Sequence, residues 1–235
     1  MIRAVTFDVW GTLLDLSAAR RLVVRALSAS LGLDENAVRR AMSDVDREVR
    51  ALRRSKHLGG REAVELSRSL LASRLGVDKD RLSIVIDEAI ISSSPGELAF
   101  EDVSHVARLR SLGLRLAVVG NTLFWSSAAT KSVLERALPG AFDFMAFADE
   151  TNYSKPDVRA FLAALTMLGA EPDEAIHVGD RVDEDVGGAL AAGMAAALII
   201  RDRKGGPVAI RDLRVAVLTS LGELTWAIEE LDHDH

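Results

Sequence analysis

Apolar positions along this chain follow two rhythms, and the switch between them organises the sequence. The run Ile2-Arg3-Ala4-Val5-Thr6-Phe7, ended by Asp8 and the turn residue Gly11, has the length and β-branching of a buried strand. Residues 15–95 then place apolar side chains at helical spacing, broken by Gly32, Gly59-Gly60 and Gly76 into four amphipathic helices. In the second, Val38, Met42, Val45, Val49 and Leu52 alternate spacings of four and three behind a capping Asp34. In the fourth, Leu82, Val85, Ile86, Ala89 and Ile90 repeat that stripe. Ser92-Ser93-Ser94-Pro95-Gly96 stops the pattern and reads as a return linker.

From residue 100 onward strands and helices alternate. A helix through Leu112 ends at Gly113, and the strand 114–119 follows. Next come a helix over 126–138, a strand over 142–147 and a helix from Pro156 to Gly169. A strand over 175–178, a helix over 184–192 and a strand over 195–200 continue the series. A short segment near Val215 and a helix over 221–231 end it. This alternation predicts βαβ units, a parallel sheet and right-handed crossovers, hence an α/β fold. The expected division is a core of 1–14 and 96–235 with a helical insert at 15–95.

Composition narrows the chemistry. With no cysteine, disulfides, Cys-ligated zinc and thiol catalysis are excluded. Hydrophobic residues at 49% and charged ones at 27% match a globular chain. A net charge of −6 argues against a general nucleic-acid binder, although most of the basic residues are Arg. The first apolar run meets Asp8 too early for a signal peptide, and no run approaches the ~18 residues of a membrane span. The expectation is a cytoplasmic protein with neither nucleic-acid nor membrane partners.

In a parallel sheet, ligands bind beyond the carboxyl ends of the strands. Asp8-Val9-Trp10-Gly11-Thr12-Leu13 follow the first strand, and Gly120-Asn121-Thr122 the second. Lys155-Pro156-Asp157 come a little after the third, and Gly179-Asp180 with Asp185 after the fourth. Asp8 and Asp180 are hard oxygen donors suited to Mg²⁺. Asp185, five residues on, is placed to orient a water beside such an ion. A carboxylate beside Mg²⁺ can attack phosphorus. Lys155 would neutralise Asp8 and the transferred group, while Asn121 and backbone N–H groups would hold its oxygens.

These four segments, in this order, resemble the haloacid dehalogenase (HAD) superfamily, in its branch with a helical cap after the first motif. The resemblance spans essentially the whole chain. It implies a Rossmann-like core with a four-helix cap, an aspartyl nucleophile at Asp8, catalytic partners at Asn121 and Lys155, and Mg²⁺ among Asp8, Trp10, Asp180 and Asp185. Trp10, Thr12, Gly120 and Thr122 would border a small anionic substrate, phosphorylated or halogenated, and the protein would act as a monomer or homodimer. Phosphatases of the family place an acid two residues after the nucleophile, where this chain has Trp10; dehalogenases place a bulky aromatic there. Gly179-Asp180 and Asp185 keep the metal-site pattern that dehalogenases lack. Phe161 stands where dehalogenases tend to have Tyr, and Gly120 where the family usually has Ser or Thr. The implied function is Mg²⁺-dependent hydrolysis of a small phosphorylated compound. Metal-independent 2-haloacid dehalogenation and a non-catalytic binding protein are the alternatives.

The insert also carries a basic cluster, Arg39, Arg40, Arg47, Arg50, Arg53, Arg54 and Lys56. A solvated helix face accounts for it, unless one Arg dips into the site and clamps an anion. The resemblance points to Arg39 or Arg40. Asp183 and Glu184 read as first-turn helix charges, His177 as a satisfied strand histidine, and Asp232-His233-Asp234-His235 as a frayed tail.

Overall fold

The computed structural model describes residues 1–56 and 58–232, without the side chains of Ser55 and Lys56. Lys56 of the basic cluster and residues 233–235 of the tail therefore lie outside the described residues in whole or in side chain. After β1 (Ala4–Phe7) come four long helices, α1 (Leu16–Leu31), α2 (Glu35–Lys56), α3 (Gly60–Leu75) and α4 (Lys79–Ile91). Asp15 caps α1 by accepting from the Ser17 and Ala18 amides at 2.7 and 3.1 Å. Gly32 and Gly76 end α1 and α3 in the left-handed conformation that a Cβ disfavours. Asp34 accepts from the Ala37 amide at 2.8 Å, as the sequence predicts. α1 packs on α4 and α2 on α3, with Val38, Met42, Val45, Val49, Leu82, Ile86 and Ile90 buried between them.

The linker folds into a short helix, α5 (Pro95–Leu98), because Ser94 and Glu97 form a capping box. Then follow α6 (Ser104–Ser111), β2 (Arg115–Gly120), α7 (Ser127–Ala137), β3 (Phe144–Phe147), α8 (Ala148–Thr151) and α9 (Val158–Leu168). β4 (Ala175–Gly179), α10 (Gly187–Ala191), β5 (Ala195–Ile199), β6 (Val208–Ile210), β7 (Val215–Leu218) and α11 (Leu224–Asp232) complete the chain.

Among the described residues the strands form one seven-stranded sheet, ordered β3-β2-β1-β4-β5-β7-β6. Every neighbouring pair is parallel except β6 with β7. Successive residues of β1 point to opposite faces. Val5 and Phe7 join the larger apolar core, while Ala4 joins the smaller one, which holds Ala160, Phe161 and Leu165 of α9. β1 lies between β2 and β4 in matched register, with Phe7 opposite both Val118 and Val178. The chain runs outward from β1 to β3 on one side and then restarts at β4 on the other. That reversal of strand order opens a crevice over the carboxyl ends of β1, β2 and β4.

The expected helix over 184–192 is a correction. Val182–Val186 form a wide π-helical turn, and only Gly187–Ala191 continue as α-helix. β6 was absent from the sequence reading: three half-exposed residues on a sheet edge carry no periodic signal.

Candidate active site

Asp8 leaves β1 at the centre of the crevice, held in line by its amide donating to the Val178 carbonyl at 2.8 Å. The chain then turns sharply at Gly11, whose φ of +105° a side chain would resist. A Cβ at Gly11 would also stand 2.3 Å from Asp180 Oδ2, so glycine is what lets the β4 loop bring Asp180 against the β1 loop. Gly179 allows the equivalent approach of Asp185, whose Cγ would lie 2.3 Å from an added Cβ. Asp8, Asp180 and Asp185 each bring a carboxylate oxygen within 4.8 Å of the others.

Lys155 threads between two of them. Its Nζ donates to Asp8 Oδ1 at 2.6 Å and sits 2.7 Å from Asp185 Oδ1, almost wholly buried. Burial disfavours the ammonium, but Asp185 and Asp8 outweigh it and hold the Lys155 pKa well above its usual value. Burial pushes the Asp8 carboxyl up to about 7, with Asp185 and Asp180 adding to the rise against Lys155. Burial and the neighbouring Asp185 push Asp180 up to about 6, although its side chain opens to solvent at the cleft mouth. Asp185 goes the other way: despite burial, Lys155 and His177 hold it well below the usual carboxylate range.

Both oxygens of Asp185 are occupied. Oδ1 faces Lys155 and His177 Nε2, the latter at 3.2 Å, and Oδ2 accepts from the Arg181 amide at 3.0 Å. Burial pushes the His177 pKa down, and its Nδ1 pairs with the Thr6 hydroxyl at 2.8 Å. Asp185 thus orients Lys155 and is a poorer direct ligand than Asp8 or Asp180. One ammonium faces three carboxylates, a deficit of positive charge that a hard dication would meet, so the donor set fits Mg²⁺.

Asn121 does something different from the sequence expectation. Its Nδ2 donates to the Lys155 carbonyl and to Glu184 Oε2, both at 3.0 Å, and its Oδ1 accepts from the Lys155 amide at 2.8 Å. With both amide hydrogens committed, Asn121 clamps the backbone of Lys155 and has none left for a substrate oxygen. Gly120 is dictated by Phe147, whose ring would lie 2.6 Å from a Cβ there. The hydroxyls of Thr12 and Thr122 are buried without hydrogen-bond partners among the described residues, and neither residue lines the chamber over Asp8. Phe161 lies on the opposite face of the sheet against the His177 ring, 4.9 Å between centroids.

That chamber holds about 50 Å³. Trp10, edge-on to Trp125 with ring centroids 5.0 Å apart, makes its apolar wall with Leu16 and Phe124. Its polar wall is Arg20, Arg50 and Arg53 from the inserted helices and Glu184 from the wide turn. Arg39 and Arg40 are corrected here: both are exposed, and Arg39 pairs with Glu35 at 3.6 Å. Arg39 and Arg50 are eleven residues apart, just over three full turns, so Arg39 shares the face but lies about 16 Å along the axis. Glu184 is the residue that sequence reasoning missed. A regular turn spreads adjacent side chains by about 100°, whereas the π-helical turn buries Glu184 and Asp185 together and leaves Asp183 outside.

The sequence pattern of the haloacid dehalogenase-like hydrolases matches residues 2–193. Glyceraldehyde 3-phosphate phosphatase of Methanopyrus kandleri is 27% identical over 217 residues, 87% of this chain and 85% of the relative. The crystal structure of a HAD phosphatase from Thermococcus onnurineus superposes with a TM-score of 0.66 at 25% identity, covering 97% of this chain and 98% of that one. L-2-haloacid dehalogenase of Xanthobacter autotrophicus reaches 0.72 at 21% identity, over 97% and 99% of the two chains, a likeness that speaks for the fold alone. No helix among the described residues is long and apolar enough to cross a membrane. With the pattern reaching from β1 through the wide turn that carries Asp185, the chain belongs to the haloacid dehalogenase-like hydrolases.

Proposed function

We propose that this hydrolase is a Mg²⁺-dependent phosphatase for a small phosphorylated compound, with Asp8 as nucleophile and residues 15–95 serving as a cap over a core of 1–14 and 96–235. The observation that carries the reading is Asp180, brought by Gly11 to within 4.8 Å of Asp8. A dehalogenase has no use for a second metal-ligating carboxylate there. The phosphatase relative supports the same reading. Asp8 and Asp180 would hold the ion, with Trp10 beside them and Asp185 behind. Bound there, Mg²⁺ would neutralise charge on the transferred phosphoryl group.

Lys155 holds Asp8 Oδ1, which leaves Oδ2 to attack phosphorus. The new bond is an acyl phosphate on Asp8, and the ester P–O bond breaks with its electron pair leaving on the departing oxygen. Water then attacks the acyl phosphate, freeing inorganic phosphate and the Asp8 carboxylate, while its proton passes to solvent. The Lys155 charge balances Asp8 before attack and the phosphoryl oxygens after it. Trp10 has no usable proton for the leaving oxygen, so aryl or acyl phosphates, whose leaving groups are stable anions, suit this chamber better than alkyl ones. The same indole favours the second reading, dehalogenation, in which halide needs no proton. Chelation separates them: removing divalent metal abolishes turnover by the phosphatase and spares the dehalogenase. Asp8→Asn, which keeps shape but removes the attacking charge, should leave under a few per cent of either activity; retention of more would demote Asp8 to a structural residue.

A further inference from the structure

β4 is buried from end to end, yet its middle residue is a histidine. Burying an imidazole among apolar side chains is costly unless its nitrogens find partners, and here both do. His177 Nδ1 lies 2.8 Å from the hydroxyl of Thr6, its register partner on β1, and Nε2 lies 3.2 Å from Asp185 Oδ1. The Phe161 ring stands edge-on against the imidazole, and Gly188 leaves room for it: a Cβ at Gly188 would lie 2.6 Å from Phe161. The imidazole is held on three sides.

These partners also decide which nitrogen carries the hydrogen. Asp185 is an ionised acceptor, so Nε2 donates to it. With the His177 pKa pushed down by burial, Nδ1 keeps its lone pair and accepts from the Thr6 hydroxyl.

Asp185 Oδ1 thus meets two donors, His177 Nε2 and, at 2.7 Å, Lys155 Nζ. Lys155 in turn is stretched between Asp185 and Asp8 Oδ1, the latter at 2.6 Å. Asn121 fixes the backbone of Lys155, but the four-carbon stem beyond it is flexible, so the ammonium settles where the two carboxylates pull evenly. A second donor on Asp185 Oδ1 weakens that oxygen's pull. Without it the ammonium would move toward Asp185, and Asp8 would lose the bond that leaves Oδ2 alone to attack.

Resting on the phosphatase reading above, we propose that His177, held by Thr6, is a positioning residue: its Nε2–H shares Asp185 with Lys155 and so keeps the ammonium on Asp8 Oδ1.

The test compares His177→Gln with His177→Asn. The Gln carboxamide can place its nitrogen where Nε2 stands and donate to Asp185, whereas the shorter Asn reaches only the Nδ1 position beside Thr6. Both bury a similar amide, so lost packing would lower the two alike. With p-nitrophenyl phosphate and Mg²⁺, the Asn variant should lose roughly 10–100-fold in kcat while KM changes less than about threefold, the pattern of a displaced reacting group. The Gln variant should stay within about threefold of the native protein in both. Crystal structures of the variants need no turnover: Lys155 Nζ should leave hydrogen-bond distance of Asp8 Oδ1 in the Asn variant and keep it in the Gln variant. Imidazole ¹⁵N NMR of the native protein should place the His177 hydrogen on Nε2, and it decides if neither variant folds. If the native protein leaves the ester intact while the two crystal structures differ as expected, the phosphatase reading falls and the positioning role stands. An Asn variant as active as the native protein, equal losses in both variants, a loss confined to KM, Lys155 unmoved in the Asn variant, or a hydrogen on Nδ1 would each overturn the proposal.

Discussion

Lys155→Met isolates the charge balance on which the site stands. The substitution preserves length and apolar bulk but leaves Asp8 and Asp185, now 2.6 and 2.7 Å from the ammonium, facing each other without it. Breaking a buried pair costs about 3–5 kcal/mol, chiefly because the surviving charge stays desolvated. For a chain of this size that is roughly 6–20 °C in Tm. The pH dependence gives the sharper signature. Lys155, its pKa raised, is charged in folded and unfolded chains alike from pH 5 to 8 and contributes no slope there. Asp8, raised to about 7, makes the folded state hold a proton more tightly than the unfolded chain, so stability falls as pH rises from about 4 through 7. Asp185, held low, contributes stability that is present above its unfolded value and lost only in acid. Without the ammonium both carboxyls rise, and the fall with pH steepens. Thermal unfolding of both proteins at pH 5 and pH 8, with chelator present, should therefore show a small gap at pH 5 and the full gap at pH 8. Adding Mg²⁺ at pH 8 should narrow it. A gap below about 1 kcal/mol at pH 8, or one equal at both pH values, would refute the claim that Lys155 neutralises this pair.

What could be read from the sequence was what a strand end dictates. Asp8, Asn121 and Asp180 follow buried apolar runs, and a parallel sheet brings such residues to one rim whatever the details between. The four helices of 15–95 were legible from their apolar spacing, and Gly32 and Gly76 end two of them, α1 and α3, in a conformation that side chains disfavour. What could not be read depends on contacts that one-dimensional spacing does not encode. Asn121 looked like a substrate ligand because its type fits one; only its three bonds to Lys155 and Glu184 show its hydrogens spent. Gly120 looked like a missing hydroxyl, whereas the Phe147 ring fills the space a side chain would need. Glu184 was hidden by the wide turn, since regular helical geometry turns it away when Asp185 faces in. Arg53 was hidden by distance along α2, because amphipathic spacing gives the facing side and not which turn lies over Asp8.

Two further substitutions probe the metal and the leaving group. Asp180→Ala removes a carboxylate held against Gly11, whereas Asp183→Ala removes an exposed one that pairs with Arg181 at 2.9 Å. Mg²⁺ titration followed by turnover should show a large loss of metal response for the first and little for the second; equal losses would mean that the β4 loop has been misassigned. Trp10→Asp asks whether proton supply is what the chamber lacks. General acid catalysis is worth ~10²–10⁴-fold when the leaving oxygen is basic and far less when it leaves as a stable anion. Trp10 lines the chamber beside Asp8, so a carboxyl there lies near the departing group. The variant should therefore gain more on an alkyl phosphate than on an aryl phosphate, assayed side by side. Loss of the edge-on contact with Trp125 costs about 0.5–1.5 kcal/mol beyond lost burial, so unfolding is measured first. A folded variant that still responds to Mg²⁺ but gains nothing selectively on the alkyl ester would show that the barrier lies elsewhere. It would then count Trp10 as evidence for a leaving group that never needed a proton, as in dehalogenation.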